Sequence, residues 1–215
     1  MSMGRPRTRN LEPKGASAPM ATHFYPDDAP VPDGLRAEGF VLKPLTAAHN
    51  ALDYEAVMAT QEMLRQRGGG QWPRPDFTPE ENLADLEGHE SDFQTRRGFT
   101  YTVQTPDGTR CLGCVYAYPL DRILRQHGAD EATVARVGDH EAGVWFWVRP
   151  EGIAEDVDRQ LVAALVPWFR AEFAFARVVF VTWAVDERQV AALRDAGLRL
   201  VWSNPVRDTH VLHFA

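Results

Sequence analysis

The sequence predicts an α/β fold, a mixed twisted sheet of about six to seven strands flanked by helices. Three observations carry that expectation. Residues 144–148 (VWFWV) form an apolar run with no polar alternation, which reads as a strand buried on both faces. After a break at Arg149, Pro150, Glu151 and Gly152, the residues Val157, Leu161, Leu165 and Trp168 recur at helical spacing. They define an amphipathic helix over 156–173, with Pro167 inside it as a source of bending. Ahead of both, 99–103 and 110–118 alternate around Pro106, Asp107 and Gly108, the pattern of a hairpin.

The remaining elements follow in order. Residues 1–38 are rich in Pro, Gly, Ala and charge without periodicity, and read as a disordered tail before a domain over 39–215. Within that tail Met20 is a candidate start. Residues 39–46 read as the first strand, with Thr46 capping a helix over 47–67 that Gly68, Gly69 and Gly70 end. Thr78, Pro79 and Glu81 make a capping box for a second helix, whose face carries Leu83, Leu86, Glu90 and Phe93. Residues 119–140 form a polar connection with room for a short helix. Residues 177–183 read as a strand, and 188–196 as a helix ended by Gly197. Residues 198–203 and 210–214 read as closing strands.

A strand ending Val148-Arg149-Pro150, then a loop, then a helix resembles the central motif of the GNAT acetyltransferase superfamily. The order of the other elements agrees over 39–215. The resemblance implies an acetyl-CoA cosubstrate, an amine acceptor and direct transfer assisted by a general base. In that family Arg or Gln and two small residues at the helix start cradle the pyrophosphate on backbone amides. Here those positions hold Ile153, Asp156 and Asp158, with Glu151 and Glu155 adding carboxylates. Carboxylates in a first helical turn complement its dipole and occupy its amides, so they compete with a bound anion.

The resemblance also nominates site residues. Phe146, Trp147 and Val148 would line the pantetheine arm, while Arg149 or Arg159 would supply positive charge. Glu141, with His140 beside it, is the matching general base. The family's acid position holds Leu193 and its upstream Asn position holds Asp186, which leaves Tyr116 or Tyr118 as acid candidates. Trp72, Phe77 and Trp145 are candidates for the acceptor site. Core packing is the competing reading for each aromatic. Three readings stay open: an N-acetyltransferase of a small amine or peptide, a catalytically inactive module of the same fold that binds a ligand or partner, and acyl transfer from a donor other than acetyl-CoA.

Composition excludes other classes. The 44% apolar content suffices for a core. Within residues 1–19 Arg5, Arg7, Arg9 and Lys14 face only Glu12, so the remainder of the chain is more acidic than the net charge of −7 and lacks the basic face that nucleic acid requires. No apolar run is long enough to span a membrane, and no secretory signal precedes the domain, so a cytoplasmic location is the default. Cys111 and Cys114 lie in a predicted strand, where positions three apart face opposite ways; no zinc site is expected. Self-association through the closing strands, as a homodimer, is the one oligomer the pattern suggests.

Overall fold

The computed structural model describes residues 24–67, 72–137, 141–204 and 210–215. Gly68–Gly70, His140, Met20 and the basic tail lie outside the described residues. The strands are β1 (Leu35–Arg36), β2 (Val41–Pro44), β3 (Phe99–Gln104), β4 (Cys111–Pro119), β5 (Ala142–Val148), β6 (Val178–Trp183), β7 (Leu200–Asn204) and β8 (Val211–Phe214). They form one sheet in the order β1-β2-β3-β4-β5-β6-β8-β7. The described strands number eight, against six or seven expected, because the pair of residues in β1 zips onto Leu42 and Val41. That strand lies in the segment read as tail. Residues 24–38 are packed: Tyr25 is fully buried, its hydroxyl donates to the Pro30 carbonyl, and the Ala174 amide donates to it in turn. Polar, Pro-rich composition hid an aromatic anchor there.

The helices are α1 (Asn50–Ala59), α2 (Gln61–Arg67), α3 (Pro79–Gln94), α4 (Leu120–Gln126), α5 (Glu131–Val137), α6 (Pro150–Ala154), α7 (Val157–Glu172) and α8 (Glu187–Asp195). The single helix expected over 47–67 is instead a 3-10 turn at Ala47–His49, then α1 and α2. Thr60 divides them; its hydroxyl donates back to the Ala56 carbonyl at 2.7 Å, a bond that competes with the helix ladder. The connection 119–140 contains two short helices rather than one. The capping box at Thr78 is formed, with Thr78 Oγ1 accepting from the Glu81 amide at 3.2 Å and Glu81 Oε2 from the Thr78 amide at 3.0 Å. Pro167 stays within α7, on its exposed side, where a missing amide hydrogen costs least.

Two irregularities position the site. First, β5 and β6 are parallel, which requires the α6–α7 crossover. They pair only from Ala142↔Val178 to Val144↔Phe180 and then part. Trp145–Val148 therefore keep β4 as a neighbour and present their other backbone edge to a fork. Second, β4 is bulged: Val103 faces Gly113 while Gln104 faces Cys111, leaving Leu112 as the extra residue. Glycine is required at 113 because a Cβ there would stand 1.9 Å from the Trp147 carbonyl oxygen.

The sheet separates two cores. Val144, Phe146 and Val148 pack with Leu161, Leu165 and Phe169 of α7 on one face. Trp147, Cys114 and Cys111 pack with Leu45, Val57 and Leu86 beneath α1 and α3 on the other. The two faces of β5 are those its alternation predicts.

Candidate active site

On the α3 side of the sheet lies a cavity of about 490 Å³. Its walls are His89, Asp85 and Asp92 from α3, Tyr116 and Tyr118 from β4, and Trp145 from β5, with Arg97 and Arg122 at the rim. Alternation on neighbouring antiparallel strands puts Tyr116 opposite Trp145; the rings stack at 5.1 Å and 10°. Trp145 joins the cavity to the fork, since it is the first β5 residue past the last β6 pair.

His89 is the chemical centre of this cavity. Its Nδ1 lies 2.9 Å from Tyr118 Oη and 3.1 Å from Thr100 Oγ1. With the Tyr118 Oη hydrogen assigned to Asp92 Oδ2 at 3.3 Å, His89 Nδ1 is the donor toward Tyr118 and its lone pair is on Nε2. Burial lowers the His89 pKa against the opposing pull of Asp85, Asp53 and Asp92. Partial burial raises that of Asp85, which His89 and a Trp72 hydrogen bond oppose. Burial pushes Tyr118 up to about 12 and Tyr116 well above its ordinary value, so both phenols keep their protons. A neutral imidazole beside proton-holding phenols is an arrangement for general base catalysis. Sequence reasoning missed His89, Asp85 and Asp92. Their i, i+4 and i+7 spacing on one helix was a signal, but nothing in the sequence said which strand they would meet.

The other sequence candidates are dispersed. Glu141 stands at the foot of β5, where its Oε2 accepts from the Ala176 amide at 2.6 Å; it is not among the cavity walls. Trp72 and Phe77 pack edge to face at 5.7 Å in the lower core, and Tyr54 Oη donates to the Phe77 carbonyl. Phe146 and Val148 turn their side chains into the α7 core, and Trp147 Nε1 donates to Tyr116 Oη at 3.1 Å. Arg149 is buried with its guanidinium committed to Glu55 and Glu151. Arg159 is exposed and lines a groove between α7 and α8.

At the start of α7 the expected carboxylates are in place. Asp158 is buried and accepts from Arg188 of α8 at 2.9 Å; the exposed Asp156 accepts from the same guanidinium at 2.6 Å. Asp156 has φ of 59°, a left-handed conformation that glycine adopts most readily. The short helix α6 fills what the resemblance draws as an open loop.

Cys111 and Cys114 correct the parity argument. The bulge at Leu112 turns both toward Asp53, and the three donor atoms lie within 4.8 Å of one another. Cys114 Sγ donates to Asp53 Oδ1 at 3.2 Å and Asn82 Nδ2 to Asp53 Oδ2 at 3.0 Å. Burial raises the pKa of Asp53 and of Cys114, which favours their protonated, hydrogen-bonding forms.

No protein-family model matches the sequence, and no curated sequence matches it. Solved structures do match. A ribosomal-protein-S5-alanine acetyltransferase from Vibrio fischeri is 13% identical with a TM-score of 0.62, covering 84% of this chain and 94% of that one. RimL, a ribosomal L7/L12 alpha-N-protein acetyltransferase in complex with coenzyme A, is 14% identical with a TM-score of 0.62, covering 83% and 93%. The microcin C7 self-immunity acetyltransferase MccE, in complex with acetyl-CoA and AMP, is 11% identical with a TM-score of 0.58, covering 86% and 96%. The chain has the GNAT acetyltransferase fold. No described helix is long and apolar enough to cross a membrane.

The elements that the family resemblance assigns to acetyl-CoA differ in character. The unpaired edge of β5 suits an amide-bearing arm, because its backbone groups lack a strand partner on that side. At the start of α7 two carboxylates, Asp156 and Asp158, share one Arg188 guanidinium, a net negative end that disfavours a diphosphate.

Proposed function

We propose that this protein is an acetyl-CoA-dependent N-acetyltransferase for a small amine or a peptide N-terminus, with His89 as the general base. The observation that carries this reading is the cavity holding neutral His89, which opens beside the β5–β6 fork and shares Trp145 with it. Bound acetyl-CoA would supply a thioester carbonyl that an amine can attack, with the thiol leaving. An amine is protonated at neutral pH, and it must lose that proton before its nitrogen has a lone pair. His89 Nε2 takes the proton, because burial keeps the imidazole uncharged and its Nδ1 hydrogen is held by Tyr118. Asp85 and Asp92 draw the cationic acceptor into the cavity, and the Tyr116–Trp145 stack excludes water from one wall. Tyr118, which keeps its proton, can turn its hydroxyl hydrogen from Asp92 to the departing thiolate and recover a proton from His89 Nδ1. The cavity volume of about 490 Å³ fits a small molecule or a chain terminus better than a folded surface. RimL and the Vibrio fischeri enzyme are both named for ribosomal protein acceptors, which supports a peptide terminus as one acceptor class.

A second reading is a non-catalytic module of the same fold. The carboxylates at the α7 start favour it. Calorimetric titration of the full chain with acetyl-CoA, followed by thiol release in the presence of amine and peptide acceptors, decides between them. Saturable binding with acceptor-dependent thiol release supports the enzyme. Saturable binding of an amine without any thiol release supports the module.

A further inference from the structure

The fork between β5 and β6 is closed by a side chain of the chain itself. Arg67, the last residue of α2, is buried to 5% side-chain exposure and reaches across both prongs. On the β5 side its Nη1 donates to the Phe146 carbonyl at 3.1 Å. On the β6 side its guanidinium lies over the Trp183 ring at 5.1 Å, and its Nε stands 2.8 Å from Asp186 Oδ2. The Nε–Asp186 contact is an ion pair without the alignment of a hydrogen bond, so it attracts without fixing the group. Arg67 and Asp186 also form one wall of a cavity of about 220 Å³, with Ile153 from α6 and Asp158 and Arg188 from the starts of α7 and α8.

We propose that Arg67 is a plug that must leave before an extended, amide-bearing donor can enter the fork. This rests on the acetyltransferase reading, whose donor it concerns. The Phe146 carbonyl lies on the β5 edge without a β6 partner, and one donor already satisfies it. A ligand amide aligned with that edge competes for the same oxygen and the same volume. Displacing Arg67 gives up its bond to the Phe146 carbonyl and leaves the nearly buried Asp186 without its cation, both against binding. If the plug is out in about one molecule in ten, the apparent affinity falls about tenfold below that of the open fork.

The test is calorimetric titration of the full chain with acetyl-CoA and with CoA, comparing wild type with Arg67→Ala and Arg67→Lys. Melting curves check that each variant is folded. Removal of the plug should tighten binding by about tenfold or more, whereas lysine, which can still reach the Phe146 carbonyl, should give a smaller gain. Should Arg67→Ala fail to fold, Asp186→Asn loosens the latch while keeping the arginine, and it should tighten binding in the same direction. Equal or weaker binding by Arg67→Ala, with the wild type binding well, overturns the plug and leaves the acetyltransferase reading standing. Absence of binding by wild type and folded variants alike, at millimolar donor, overturns both.

Discussion

His89 and Glu141 separate two accounts of the base. Glu141 sits where the family resemblance nominates it, yet its carboxylate is spent on the Ala176 amide. His89 lies in the cavity with its tautomer set by the Tyr118–Asp92 chain. His89→Gln should therefore cut turnover by about a hundredfold or more with little change in donor affinity, as expected for loss of a general base. Glu141→Gln should leave turnover close to wild type. Because burial lowers the His89 pKa, the acidic limb of the rate profile should lie below the usual histidine range near 6.5. Steady-state rates from pH 5 to 9 for the three proteins check all of this; a normal rate for His89→Gln removes it from the site.

At the scale of the element, the start of α7 sets the electrostatic character of the donor side. Asp158 and Asp156 share one arginine from α8, so the helix terminus and its neutralising cation come from different elements. Substituting Asp156→Gly with Asp158→Asn removes both charges, frees Arg188 and gives the left-handed position at 156 the residue that adopts it most readily. CoA affinity should rise, and the gain should shrink as salt is added, since it is a charge effect near the surface. Calorimetry at low and high ionic strength measures it. An unchanged affinity at low salt would remove the carboxylates as the barrier.

For the whole molecule, acid stability turns on a histidine that is not among the cavity walls. His213 of β8 is fully buried beside His127, and burial first, then His127, pushes its pKa down to about 3. The unfolded chain takes up that proton near 6.5. Between those values the unfolded state binds more protons, so stability falls as pH drops through the window from about 6.5 toward 3. The loss by pH 4 should reach up to about 3 kcal/mol from this residue. His213→Leu should flatten that dependence, as denaturant unfolding at pH 7, 5.5 and 4 would register. An equally steep loss in the variant would assign acid sensitivity to other groups.

Elements whose signals are local were legible in the amino-acid order. Val144–Val148 specifies a buried strand by its short length, its β-branched and aromatic content and the Pro150 and Gly152 that follow, and the Val157–Trp168 stripe specifies an amphipathic helix by its 3.6-residue period. Thr78, Pro79 and Glu81 specify a helix start because the capping bonds close within four residues. Tertiary structure alone decided where those elements meet. The bulge at Leu112 reversed the facing of Cys111, because one extra residue in a ladder breaks the period of two. The parting of β5 from β6 depends on both strands at once, and the Arg67 contacts join residues 67, 146 and 186. The cavity assembles α3, β4 and β5 around His89, whose own neighbours in sequence carry no trace of Tyr118. Local patterns set what each segment becomes; long-range packing sets which side chains share a space, and the candidate chemistry of this protein lies in that second set.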